Sequence, residues 1–192
     1  MVVTGAGRGI GRAVAVALAA RGHDVALLGR TEADLDLTAE RVTAEGRRAL
    51  VVRCDVARAK DVESAASRVT GGLGVPVAVV NNAGVVRRAR VDRMTDEDWD
   101  EVLDVNLKGT FLVTRAFLPA MLLAKCGRFV AMGSISGTLG TPLLSAYCAA
   151  KWGVIGFTKS LAEELRGTGA NRLGALESRR LPRRGLLRCC RS

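Results

Sequence analysis

The chain has 192 residues, 48% of them hydrophobic and 25% charged, which is enough apolar side chain for one domain with a substantial core and too much for a disordered chain. Its longest apolar run, Ala13–Ala20, falls far short of the ~20 residues that span a bilayer, and no basic segment leads into an apolar stretch at the start, so neither a membrane span nor a secretory leader is expected. The net charge of +10 suggests nucleic acid, but residues 170–192 carry seven arginines against the single acid Glu177, so six of the ten charges belong to the tail. With no aromatics interleaved in that tail and no basic stripe in the body, nucleic-acid binding is not expected. The five cysteines, 54, 126, 148, 189 and 190, form no CxxC or histidine-spaced set, and their odd number reads as reduced thiols rather than zinc ligands or a disulfide framework. His23 is the only histidine, which weakens any histidine-dependent triad. A cytoplasmic setting follows as the default.

Along the chain, short β-branched runs alternate with segments of helical period. Strands are predicted at Val2–Thr4, Asp24–Leu28, Ala49–Arg53, Val75–Val80 and Arg128–Met132. Between the first two, Ile10, Val14, Ala17 and Leu18 recur at helical spacing. Thr31-x-x-Asp34 caps a helix running to about Glu45, and Thr95-x-x-Asp98 opens the longest helical region, to about Cys126, interrupted near Asn106 to Gly109 and strained at Pro119. A last helix covers Tyr147–Arg166. This alternation predicts an α/β fold, a Rossmann-type doubly wound parallel sheet covered by helices in three layers, over residues 1–169. Residues 170–192 show neither strand nor helix period and form an atypical basic tail.

The turn Thr4-Gly5-Ala6-Gly7-Arg8-Gly9-Ile10-Gly11 lies between the first strand and the first helix, where backbone N–H groups and a helix N-terminus can hold a pyrophosphate. The spacing is Gly5-x-x-x-Gly9-x-Gly11, not a strict G-x-G-x-x-G, and by itself it fits a tight ligand-free turn as well. The second strand ends in Gly29-Arg30 with no acid to hold a ribose hydroxyl; Arg30, helped by Arg8, would instead neutralise a 2′-phosphate, which favours NADPH over NADH. A lone arginine at a strand end is otherwise a solvated side chain.

Tyr147 and Lys151 stand at i and i+4 on one helix face. A nearby ammonium stabilises phenolate and draws the phenol toward acid–base work at neutral pH, although such a pair also arises by chance in many helices. Ser134 follows the fifth strand and Asn81-Asn82-Ala83-Gly84 the fourth, at the carboxyl edge where open α/β sheets hold ligands. The hydroxyl of Ser134 could hold a substrate carbonyl.

Taken together, Thr4-Gly5-x-x-x-Gly9-Ile10-Gly11, Asp55-Val56, Asn81-Asn82-Ala83-Gly84, Asn106, Ser134 and Tyr147-x-x-x-Lys151 resemble a short-chain dehydrogenase/reductase, over about residues 1–168. Arg93-Met94-x-x-Glu97-x-Trp99 and Gly153-x-x-Gly156-Phe157-x-Lys159-Ser160-Leu161 are most similar to 3-oxoacyl-(acyl-carrier-protein) reductases and acetoacetyl-CoA reductases. The resemblance implies a carbonyl or acyl-thioester substrate, Tyr147 as general acid, Lys151 as its activator and a ligand of the nicotinamide ribose, Ser134 as carbonyl holder, and Asn106 behind Lys151 in a proton relay. It further implies that Gly5, Ala6, Gly7 and Arg8, with Gly9, Ile10 and Gly11, meet the pyrophosphate and 2′-phosphate region. Asp55 and Val56 would meet the adenine, and Asn82, with Ala83 and Gly84, the nearby ribose. A homo-oligomer is implied for the family.

A further strand, an Asn-x-x-x-Pro-Gly turn, a lid and a closing strand would follow the Tyr147 helix in the family, and none is recognisable in 170–192. The expectation is therefore a sheet whose last strands are missing, with a tail such as out-of-frame reading produces. The alternative to a ketoreductase is a catalytically impaired remnant that binds nucleotide or acts only as an interaction partner.

Overall fold

The computed structural model describes residues 1–168 and, as backbone, Gly174–Leu176. In chain order the elements are β1 (Val2–Thr4), α1 (Gly9–Ala19), β2 (Val25–Gly29), α2 (Glu32–Ala44), β3 (Ala49–Arg53), α3 (Ala59–Leu73), β4 (Val79–Asn81), α4 (Asp96–Leu103), a wide i+5 turn (Asp104–Lys108), α5 (Gly109–Leu123), β5 (Phe129–Met132), α6 (Ser145–Glu164) and β6 (Gly174–Leu176). Short 3-10 turns fall at Val91–Arg93 and Ile135–Gly137. All strand pairs are parallel, in the order β3-β2-β1-β4-β5-β6, so the chain winds outward from β1 in both directions. Such an order creates a crevice between β1 and β4 at the carboxyl edge.

Alternation along the strands divides the core into the two helical layers of the expected fold. Val2, Ala26, Leu28, Val52 and Val79 face α3 and α5, where they meet Val62, Val69, Leu112 and Phe117. Val3, Val25, Leu27 and Val80 face the other way, onto Ala15 and Ala19 of α1 and Leu35 and Val42 of α2.

Two expectations require correction. The tail was read as contributing no strand, yet Gly174–Leu176 pairs in register with Val130–Met132 of β5. Three residues are too few to show a period, and a parallel edge can recruit them through the backbone whatever their sequence. Reduced cysteines were expected throughout; Cys54 and Cys148 are free, whereas Cys126 is held in a disulfide. An odd number of cysteines requires one unpaired thiol but does not forbid a bridge. Pro119, where strain was expected, lies inside α5 on its exposed face, where solvent can meet the carbonyl that its missing N–H leaves free. No helix among the described residues is long and apolar enough to cross a membrane.

Candidate active site

The residues singled out in the sequence gather at the carboxyl ends of the strands: Gly5 follows β1, Arg30 follows β2, Asp55 lies two residues past β3, Asn82 follows β4 and Ser134 lies two residues past β5. The glycine turn is held from behind. Thr4 Oγ1 accepts the N–H groups of Asn82 (2.9 Å) and Ala83 (3.0 Å), and Asn82 Nδ2 donates to Thr4 O (2.9 Å) and Gly5 O (3.3 Å). Gly5 has φ +62, a conformation costly for other residues, and a Cβ on Gly11 would stand 2.2 Å from Gly5 O. The turn therefore closes only with glycine at both positions. Arg12 N–H bonds Arg8 O (3.2 Å), which leaves the N–H groups of Gly9, Ile10 and Gly11 at the start of α1 for an outside acceptor. Around Gly9 the space a Cβ would take is open, and Arg8 and Ile10 are exposed.

Arg12 and Thr38 escaped the sequence reading. The Arg12 guanidinium donates to Gly7 O, to Thr38 Oγ1 (3.0 Å) and to Asp34 O (3.3 Å), while Thr38 Oγ1 donates to Ala6 O (3.0 Å). Together they fasten the turn to α2. Of this pair, the arginine directly after Gly11 was the only available signal; nothing local marks Thr38, which is 32 residues from its acceptor.

On α6, Lys151 is only 5% exposed. Its Nζ donates to Met132 O (2.7 Å), the last carbonyl of β5, and lies 5.7 Å from the centre of the Tyr147 ring. Burial pulls its pKa from 10.5 down to about 8. Tyr147 is half-buried, as is Ser134, whose Oγ accepts from Ser136 N–H (3.2 Å) and so shapes the loop after β5. That loop rests directly on α6, since a Cβ on Gly137 would be 3.1 Å from Lys151 O. The face of α6 that carries Tyr147 and Lys151 and the loop that carries Ser134 are thus tied to the same end of β5.

Asn106 lies within the wide turn between α4 and α5 and is 1% exposed. Its Nδ2 hydrogens are both committed, to Val85 O (2.8 Å) and Val102 O (2.9 Å), whereas Oδ1 has no partner among the described residues. Gly84 borders that oxygen. Turns of this i+5 type recur at functional sites, and the interruption expected near Asn106 is this insertion rather than a break.

The remaining expected residues are more scattered. Arg30 is exposed and forms no ion pair among the described residues, and neither does Arg8. Val56 turns its side chain into the core, where it abuts Gly109, while the carboxylate of half-buried Asp55 accepts from Ala57 N–H (3.1 Å). Burial, reinforced by Asp61 and Asp55, pushes the Cys54 thiol up to about 12, so it is not a nucleophile near neutral pH.

A profile of the family described as short chain dehydrogenase matches residues 1–172. The chain is 41% identical over 169 residues to a 3-oxoacyl-(acyl-carrier-protein) reductase of Synechocystis, covering 88% of this chain and 68% of that protein. It is 37% identical over 168 residues to the corresponding reductase of Salmonella typhimurium, with 88% and 68% covered. Among solved structures it superposes on a metagenomic short-chain oxidoreductase in complex with NADP at a TM-score of 0.88, with 36% identity and 92% of this chain and 80% of that chain covered. An alcohol dehydrogenase of Thermococcus sibiricus complexed with 5-hydroxy-NADP gives 0.85, with 29% identity and coverage of 92% and 73%.

Proposed function

The chain belongs to the short-chain dehydrogenase family and is an NAD(P)-dependent oxidoreductase, and from this membership we propose that it reduces a 3-oxoacyl thioester with NADPH. The site residues fit that cofactor. The cradle at the start of α1 offers N–H groups to a pyrophosphate, and the exposed cations Arg8 and Arg30 flank a strand end that carries no acid to meet a 2′-hydroxyl. When bound, the nicotinamide supplies the hydride.

The observation that carries the reading is the environment of Lys151. A buried ammonium fixed on Met132 O and set beside the Tyr147 ring stabilises the phenolate left when Tyr147 gives its proton to the carbonyl oxygen. Ser134 Oγ donates to the same oxygen and orients the carbonyl. Asn106 Oδ1, with both of its amide hydrogens already committed, can only accept; it holds a water that returns a proton through Lys151. The 3-oxoacyl substrate class is supported by the names of relatives that are 37–41% identical.

The test is oxidation of NADPH in the presence of acetoacetyl-CoA. Tyr147→Phe keeps the ring and removes the transferable proton, and its rate should fall by about 100-fold or more, within the range that general acid catalysis contributes. A Tyr147→Phe variant that turns over near the native rate would remove Tyr147 from the mechanism.

A further inference from the structure

Three arginines border the start of α2. Arg30 stands two residues before Glu32, the first residue of that helix. Arg8 follows Gly7, where a Cβ would lie 2.8 Å from the Cβ of Asp34 in the first helical turn. Arg53, the last residue of β3, is brought there by the sheet, since it pairs in register with Gly29 at the end of β2.

Partners in register point to the same face of a sheet. Leu27 and Val51, the pair two residues earlier, pack into the layer that holds Leu35 and Val42 of α2, and a Cβ on Gly29 would meet Leu35 Cδ2 at 3.2 Å. Arg53 therefore leaves the sheet on the side of α2, and it is exposed at the carboxyl edge rather than covered by that helix. Neighbouring strands lie about 4.8 Å apart, less than the length of an arginine side chain, so its guanidinium can reach a group held at Arg30. Among the described residues none of the three guanidinium groups takes part in an ion pair or a hydrogen bond. Asp55, two residues beyond Arg53, is already engaged by Arg58 (3.9 Å) and by Ala57 N–H (3.1 Å).

The local charge balance shows why a third cation matters. The first turn of α2 carries Glu32 and Asp34, which offset the charges of Arg8 and Arg30. A phosphate monoester brings about two further negative charges at neutral pH. With only the first two arginines that neighbourhood has no net attraction for it; Arg53 makes it net positive.

From this placement we infer that Arg53 is a further determinant of the choice of NADPH over NADH, its guanidinium meeting the 2′-phosphate from the β3 side, beside Arg30. The inference rests on the NADPH reading given above.

Binding of adenosine 2′,5′-bisphosphate and of AMP, which differ only in the 2′-phosphate, tests it by calorimetry without turnover, on the full chain and its Arg53→Gln and Arg53→Lys variants. Arg53→Gln should weaken the bisphosphate about three- to tenfold, the range of one exposed charge contact, and leave both AMP affinity and melting temperature at native values. Arg53→Lys keeps the charge and should retain most of the affinity. NADPH and NADH, titrated by fluorescence, should divide in the same way. Native affinity of Arg53→Gln for the bisphosphate, or an equal loss for AMP, would overturn the role of Arg53 while leaving the NADPH reading intact. A native chain that binds AMP as tightly as the bisphosphate would defeat the NADPH reading, and the role of Arg53 with it.

Discussion

A Cβ on Gly84 would stand 2.7 Å from Oδ1 of Asn106. The missing side chain at position 84 therefore leaves that buried oxygen, which has no hydrogen-bond partner among the described residues, uncrowded. Gly84→Ala should leave the fold intact, since residue 84 is exposed, yet lower kcat by about tenfold or more by crowding the oxygen. Steady-state kinetics paired with a melting curve measures both, and native kcat would show that Oδ1 has no part in turnover.

The burial of Lys151 makes stability depend on pH in a fixed direction. Its folded pKa is about 8 against 10.5 when exposed, so between these values the unfolded chain binds more protons and stability rises with pH. The penalty is fully present below pH ~8 and gone above ~10.5, with an upper bound on the order of 3 kcal/mol from the shift. Lys151→Met should flatten this rise in a series of melts across that window. The same variant should move the pH optimum of reduction upward, because the phenol loses its cationic neighbour.

Cofactor choice should turn on Arg30. Arg30→Asp exchanges an attraction for a repulsion at the 2′-phosphate and should weaken NADPH by about 10- to 100-fold while sparing NADH, the range of charge-assisted hydrogen bonds. Fluorescence titration of the two reduced nucleotides with native and variant protein decides it. Equal native affinity for both would remove the basis for the preference.

Because β6 pairs with β5, a chain ended at residue 169 should lose more than a passive tail. It exposes the edge of β5, and a lower melting temperature with concentration-dependent association is expected, readable by calorimetry and light scattering. An unchanged melt in the shortened protein would mean that the three-residue ladder adds nothing.

Much of this architecture was legible because strand alternation and helix period are local properties. β1 and β3 fall on the predicted residues, and Thr95 caps α4 through Asp98 N–H (3.1 Å) as its spacing required. Thr31 stands at the start of α2 but makes no side-chain cap. The predicted Val75–Val80 strand begins only at Val79, because Pro76 has no N–H to give a ladder. The helix α3, with Val62, Ala65, Ala66 and Val69 on its buried face, carries a readable helical period as well, although it is not among the predicted helices. Tyr147, Lys151 and Ser134 stand out by their spacing, and the structure sets Lys151 beside the Tyr147 ring at the end of β5. The commitment of Asn82 to the glycine turn and the clasp of Arg12 could not be read from spacing, since each depends on which group a side chain reaches once distant segments are packed.

The clasp of Arg12 and Thr38 also decides what an approaching anion meets. By drawing the carbonyl oxygens of Ala6 and Gly7 back toward α2, it turns the negative ends of those peptide dipoles away from the crevice. The surface left facing the ligand is then electropositive by backbone orientation, already set before any ligand arrives. Mobile salt weakens attraction to the exposed charges of Arg8 and Arg30 more than it weakens amide hydrogen bonds made at contact distance. Nucleotide affinity in this protein should therefore divide into a salt-sensitive part owed to side chains and a nearly salt-independent part owed to the main chain.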